Sequence, residues 1–78
     1  MLETHETAPL RRLSAREAQV LEAAARGLTN AQVARHLEVS VHAVKFHLAS
    51  VYRKLGVGNR TEAAFLYLRS AAERTAPP

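Results

Sequence analysis

The side chains able to bind charge in this sequence are concentrated between Arg35 and Lys54. That stretch holds four Lys or Arg residues (Arg35, Lys45, Arg53, Lys54) and three of the four histidines, against one acid, Glu38. Lysine and arginine carry hydrogen-bond donors only and stay charged at neutral pH, so such a surface selects anionic acceptors. Catalysis fits the residues poorly. No nucleophile–base set, phosphate-cradling loop or carboxylate pair stands at workable spacing, so no enzyme activity is expected. The chain has no cysteine, which excludes a disulfide framework and a thiolate metal site. His42 and His47 are five residues apart and do not share a helix face as a metal pair would, so neither metal nor cofactor is expected.

Composition agrees with an anionic partner. The 78 residues carry a formal net charge of +4, with a sequence pI of about 10.4. That excess favours a polyanion through phosphate neutralisation and counterion release. The length suits one domain, near the lower limit for a core without staples. No apolar run approaches the roughly 20 residues needed to cross a bilayer. Met1–Pro9 lacks the apolar core of a signal peptide. The expectation is a soluble cytoplasmic protein with no membrane partner.

The elements that must position these charges are two helical patterns between Thr29 and Leu55. Thr29 and Gln32 have capping-box spacing, and Val33, Ala34 and Leu37 follow at helical period. Glu38 marks the turn; a left-handed conformation there would strain a side chain by about 1–2 kcal/mol. Ser40 is a fresh N-cap, and a longer helix runs to Leu55 before Gly56. Short helix, tight turn and longer helix together form a helix-turn-helix. At about 100° per residue, Val41, Val44, Leu48, Val51, Tyr52 and Leu55 share the arc expected to be buried. His42, Phe46, Ala49, Ser50 and Arg53 share the opposite arc, with Lys45 and His47 at the margins. An aromatic centred on the outer face of a basic helix is unusual for a residue meant only for water. That face is expected to enter a DNA major groove.

Around this unit, residues 1–12 show no helical period and read as a flexible arm or linker remnant. Arg11 and Arg12 within it read as a solvated pair rather than phosphate contacts. Ser14 and Glu17 form a second capping box, Val20, Leu21 and Ala24 supply a buried stripe, and Gly27 ends the first helix. Asn59 and Glu62 form a third box and open the last helix. Ala63, Leu66 and Tyr67 of that helix fit the core. Phe65, Leu68 and Ala72 make a second apolar stripe, which signals a partner surface. An ion pair between Arg60 and Glu17 is expected to join the last helix to the first. The domain is therefore expected over residues 13–74, with a disordered tail at 75–78 and an all-α, four-helix architecture.

With these residues laid out, the sequence resembles the LuxR/FixJ-type (GerE-like) DNA-binding domain of bacterial transcription regulators. The matching runs are LSAREAQVL from Leu13, GLTNAQVARHL from Gly27, SVHAVKFHL from Ser40 and KLGVGNRTEAA from Lys54. The resemblance implies a tetra-helical domain whose third helix lies in the major groove of double-stranded DNA, bound as a homodimer. It implies base or phosphate contact by Lys45, phosphate contact by His47, and groove-facing positions at His42, Phe46 and Ala49. The last helix, from Asn59 onward, would form the dimer contact through Phe65, Leu68 and Ala72. Arg53 would add attraction and hydrogen bonds, and Thr29, Asn30 and Ser40 would offer helix-start donors to phosphates. The sequence departs from the family pattern at Ala43, where a threonine is common, at Ala31, where a lysine is common, and at Ala49, where some relatives carry a basic residue. Each departure removes one polar contact.

Two other readings fit the same residues. A sigma-factor region-four-like domain shares the helix-turn-helix and would bind a promoter together with RNA polymerase. A helical protein–protein module would dock its apolar last helix on a partner, its basic face being incidental. The residues leave open a free-standing protein or the C-terminal domain of a longer regulator.

Overall fold

The structure, a computed structural model, describes residues 10–75. Four helices follow one another: α1 (Ala15–Ala25), α2 (Asn30–Leu37), α3 (Val41–Leu55) and α4 (Arg60–Thr75). No strand occurs among the described residues, in agreement with the all-α expectation. Most of the expected arm (residues 1–9) and the tail residues 76–78 lie outside the described residues. Leu10, assigned to the arm from the sequence, packs with Leu13 against the core under α4.

Side chains set the helix boundaries. Ser14 Oγ accepts the Glu17 N–H at 3.1 Å, and the Glu17 carboxylate accepts the Ser14 N–H at 2.9 Å. Thr29 and Gln32 make the same reciprocal pair at α2, with bonds of 2.8 and 3.1 Å. Ser40 Oγ accepts the Ala43 N–H at 2.9 Å and opens α3. Each pair satisfies donors that the first turn of a helix leaves unpaired. At α4 the third box differs from expectation. Asn59 caps as foreseen, accepting the Glu62 N–H at 2.9 Å, but the Glu62 carboxylate takes the Gly58 N–H at 2.7 Å. The carboxylate thus reaches one residue further back along the incoming loop.

Left-handed residues end the first three helices. Gly27 (φ +92°) and Gly56 (φ +70°) adopt that conformation without a Cβ penalty. Glu38 closes α2 at φ 60°, ψ 45°, the position where left-handed strain costs a side chain about 1–2 kcal/mol. The turn it makes lets the Val39 N–H bond the Ala34 carbonyl at 2.9 Å, and Val39 then packs on the core.

Two joined clusters form the core. Val20, Ala24, Val33, Ala34, Val44 and Leu48 bind α1, α2 and α3 together. Leu21, Val51, Leu55 and Ala63 hold α4 against α1 and the C-terminal half of α3, with Tyr52 packing on both clusters. Alanines at 23, 24 and 34, all nearly buried, let the helix backbones approach closely. At only eight residues, α2 is too short to persist alone and depends on this packing.

The strongest polar link was misassigned from the sequence. Glu17 does not pair with Arg60. Its carboxylate accepts Ser50 Oγ–H at 2.6 Å and Lys54 Nζ at 2.9 Å, besides the Ser14 N–H. Ser50, expected on the outer arc of α3, is therefore buried, at 7% exposure. Val41, expected in the buried stripe, is 39% exposed. The packed arc of α3 is rotated towards α1 relative to the arc read from hydrophobicity, because hydrogen bonding to Glu17 draws a serine inward. The three donors, Ser50 first, then Lys54, then Ser14, outweigh desolvation and lower the Glu17 pKa from 4.5 to about 2.

A carboxylate whose pKa is depressed on folding stabilises the protein above its unfolded pKa, and that contribution fades as pH falls to the folded value. Glu17→Gln should therefore show a smaller loss of unfolding free energy than the parent between pH 4.5 and about 2, measured by denaturant titration at each pH. Equal losses would contradict the assignment. Glu38→Gly should raise stability by about 0.5–1 kcal/mol, as relief of left-handed strain exceeds the added unfolded-state entropy. A lower melting temperature would contradict it.

Candidate nucleic-acid interface

The outward arc of α3 is built by what the core leaves uncovered. Val44, Leu48, Val51 and Leu55 face inward, and the Glu17 bonds draw Ser50 and Lys54 towards α1. The residues left exposed are Val41, His42, Lys45, Phe46, Ala49 and Arg53, an arc of about 140° at 100° per residue. Phe46 is 68% exposed, a large aromatic surface held out in water. His47 is half-buried, and its ring meets Phe46 edge-to-face with centroids 5.9 Å apart at 70°. That contact restricts the Phe46 ring. No acidic residue lies anywhere in α3, and Arg53 and Lys54 occupy its last turn, where cations complement the helix dipole.

Of the residues singled out in the sequence, His42, Lys45, Phe46, Ala49 and Arg53 come together on this one face. Thr29 and Ser40 stand at the starts of α2 and α3. Each hydroxyl accepts one backbone N–H and keeps its own O–H as a donor. Asn30 is half-buried, and its Oδ1 accepts Arg60 Nη1 at 2.8 Å, which turns the oxygen towards Arg60 and the NH2 away from it. The sequence reading missed that bond. Asn30 and Arg60 are 30 residues apart, and no local pattern connects them.

The second apolar stripe lies on α4. Phe65 is 64% and Leu68 53% exposed, and Ala72 is exposed as well. A shallow groove beside them is lined by Ala24, Arg60, Thr61 and Ala64. Among the described residues, no group of three His, Asp or Glu side chains is placed to hold a metal ion, and no helix is long and apolar enough to cross a membrane.

Comparison with known proteins places this geometry in a family context. The model for bacterial regulatory proteins of the luxR family matches residues 11–67. The chain is 49% identical over 55 residues to the transcriptional activator protein RaiR of Rhizobium etli, covering 70% of this chain and 23% of that protein. It is 44% identical over 64 residues to a nitrate/nitrite response regulator protein homolog of Haemophilus influenzae, covering 82% of this chain and 31% of that one. It is 41% identical over 61 residues to the nitrate/nitrite response regulator protein NarP of Escherichia coli, covering 78% and 28%. The chain thus spans under a third of the length of each of these relatives. No solved structure gives a significant match.

A ring as exposed as that of Phe46 contributes little to folding. Phe46→Ala should change the unfolding free energy by no more than about 0.5 kcal/mol, against about 3–5 kcal/mol for a core phenylalanine. A loss in the upper range, measured by chemical denaturation, would mean that the ring is packed in the folded protein.

Proposed function

The chain belongs to the luxR family of bacterial regulatory proteins, and on that premise we propose that it is the sequence-specific, duplex-DNA-binding part of a transcription regulator. The observation that carries the reading is the uncovered, acid-free face of α3. A helix about 10–12 Å across fits the roughly 12 Å major groove. Lys45 donates to guanine acceptors or to phosphate, and His42 lies beside it on the same arc. Phe46 and Ala49 give apolar contact to thymine methyl groups. Arg53 and His47 bind the backbone, as do Thr29, Asn30 and Ser40 at two helix starts. Most of the affinity comes from phosphates, and the base choice from the few groove-facing side chains.

The stripe of Phe65, Leu68 and Ala72 supports a homodimer. Apolar side chains this exposed favour burial against a second copy, and a two-fold pair would read two half-sites. The residues support no catalytic role. A DNA target in a bacterium places the protein in the cytoplasm.

Selection of bound sequences from a random duplex pool, followed by titration with Lys45→Ala, tests this reading. A single enriched motif is expected, with two-fold symmetry if the dimer forms. Lys45→Ala should weaken binding at least tenfold and lower the salt slope by about one, with helical content and melting temperature unchanged. Absence of enrichment, or equal affinity of the two proteins, would overturn it. An asymmetric motif bound only together with RNA polymerase would replace it with the sigma-factor-like reading.

A further inference from the structure

Arg60, the first residue of α4, lies off the α3 face yet reaches the start of α2. Its Nη1 donates to Asn30 Oδ1 at 2.8 Å, and its Nη2 donates to the backbone carbonyl of Leu28. Leu28 and Asn30 flank Thr29, the N-cap of α2. One half-buried guanidinium thus grips both sides of the residue that starts this helix. Otherwise α2 is held by its packing on α1 and α3 through Val33 and Ala34, which lie further along the helix.

The chemistry of the two partners fixes a direction. A guanidinium has donors and no acceptor. The Asn30 amide can therefore meet Arg60 only through its oxygen, and its NH2 must point away from the guanidinium. An unrestrained asparagine at this position could turn either end towards an approaching anion. With the oxygen turned to the guanidinium by this bond, the two NH2 donors are the end of the amide left facing away from Arg60. That is the orientation a phosphate requires.

We propose that Arg60 is a positioning residue for DNA-backbone binding, locking Asn30 so that its amide NH2 donates to one phosphate at the α2 end of the interface. The proposal rests on the reading of this chain as a duplex-DNA binder. It adds that a side chain of α4, touching no DNA itself, determines whether a contact made from α2 can form. Arg60 acts here by orientation, and the phosphate contact belongs to Asn30.

The test uses the selected duplex with single methylphosphonate linkages, each removing the charge and one acceptor of one backbone phosphate. The parent should lose about tenfold in affinity at the phosphate facing Asn30. Asn30→Ala and Arg60→Met should bind the unmodified duplex more weakly and show no further loss at that one linkage, while keeping the parent's response at every other. Arg60→Lys, which retains a donor at this position, should recover part of the response. A merely structural role for Arg60 would reduce affinity without silencing a particular phosphate. Should Arg60→Met fail to fold, as judged by circular dichroism, Arg60→Gln, whose single amide cannot span both the Asn30 oxygen and the Leu28 carbonyl, takes its place and is expected to show the same silent linkage; a parent-like profile in it would equally overturn the proposal. A parent-like profile in folded Asn30→Ala or Arg60→Met would overturn the proposal while leaving the DNA-binding reading intact. Failure of the parent to bind any duplex would instead remove the reading on which the proposal rests.

Discussion

A single buried carboxylate governs how α3 is presented. Glu17 receives the Ser14 N–H, the Ser50 hydroxyl and the Lys54 ammonium, so it caps α1 and clamps α1 to α3 in one stroke. Leaving a buried carboxylate without its donors would be costly. With all three in place, the group fixes the rotation of α3 about its own axis. That rotation decides which side chains face inward and which remain exposed. The interface of α3 is in this sense a consequence of a contact made on the helix's opposite side.

The same economy runs through the rest of the domain. Seventy-eight residues give little apolar area to spend on specificity devices, and α2 has only two turns with which to hold its place. Its position depends on small residues at the crossings, a left-handed glutamate at its end, and the Arg60 grip at its start. The glutamate at position 38 accepts backbone strain so that Val39 can return to the core and Ser40 can open α3. Local strain and long-range hydrogen bonds thus serve one end, a fixed angle between α2 and α3.

The DNA-facing surface proposed here combines few charged contacts with exposed apolar ones. At three positions where the pattern implied by the resemblance has a polar or basic residue, this chain has Ala31, Ala43 and Ala49. Phosphate contacts supply affinity without sequence information, whereas apolar side chains in the groove read methyl groups at short range. On the proposed reading, a surface with Phe46 and Ala49 beside Lys45 would rely on shape and methyl contact for discrimination more than on bidentate hydrogen bonds.

The sequence alone determined the number of helices, their starts and ends, and the face of α3 that carries the cations. Capping pairs three residues apart and apolar residues three and four apart are local signals, set by the geometry of one turn of helix. It identified His42, Phe46, Ala49 and Arg53 as outward-facing, with Lys45 at the margin, for the same reason. Only the tertiary structure decided that Ser50 turns inward and Val41 outward, that Glu17 chooses Lys54 over Arg60, and that Arg60 instead holds Asn30. Those choices join residues 30 or more positions apart. Helix periodicity is blind to them, because a polar side chain is drawn inside by a donor or acceptor on another helix, whose approach is known only once the chain has packed.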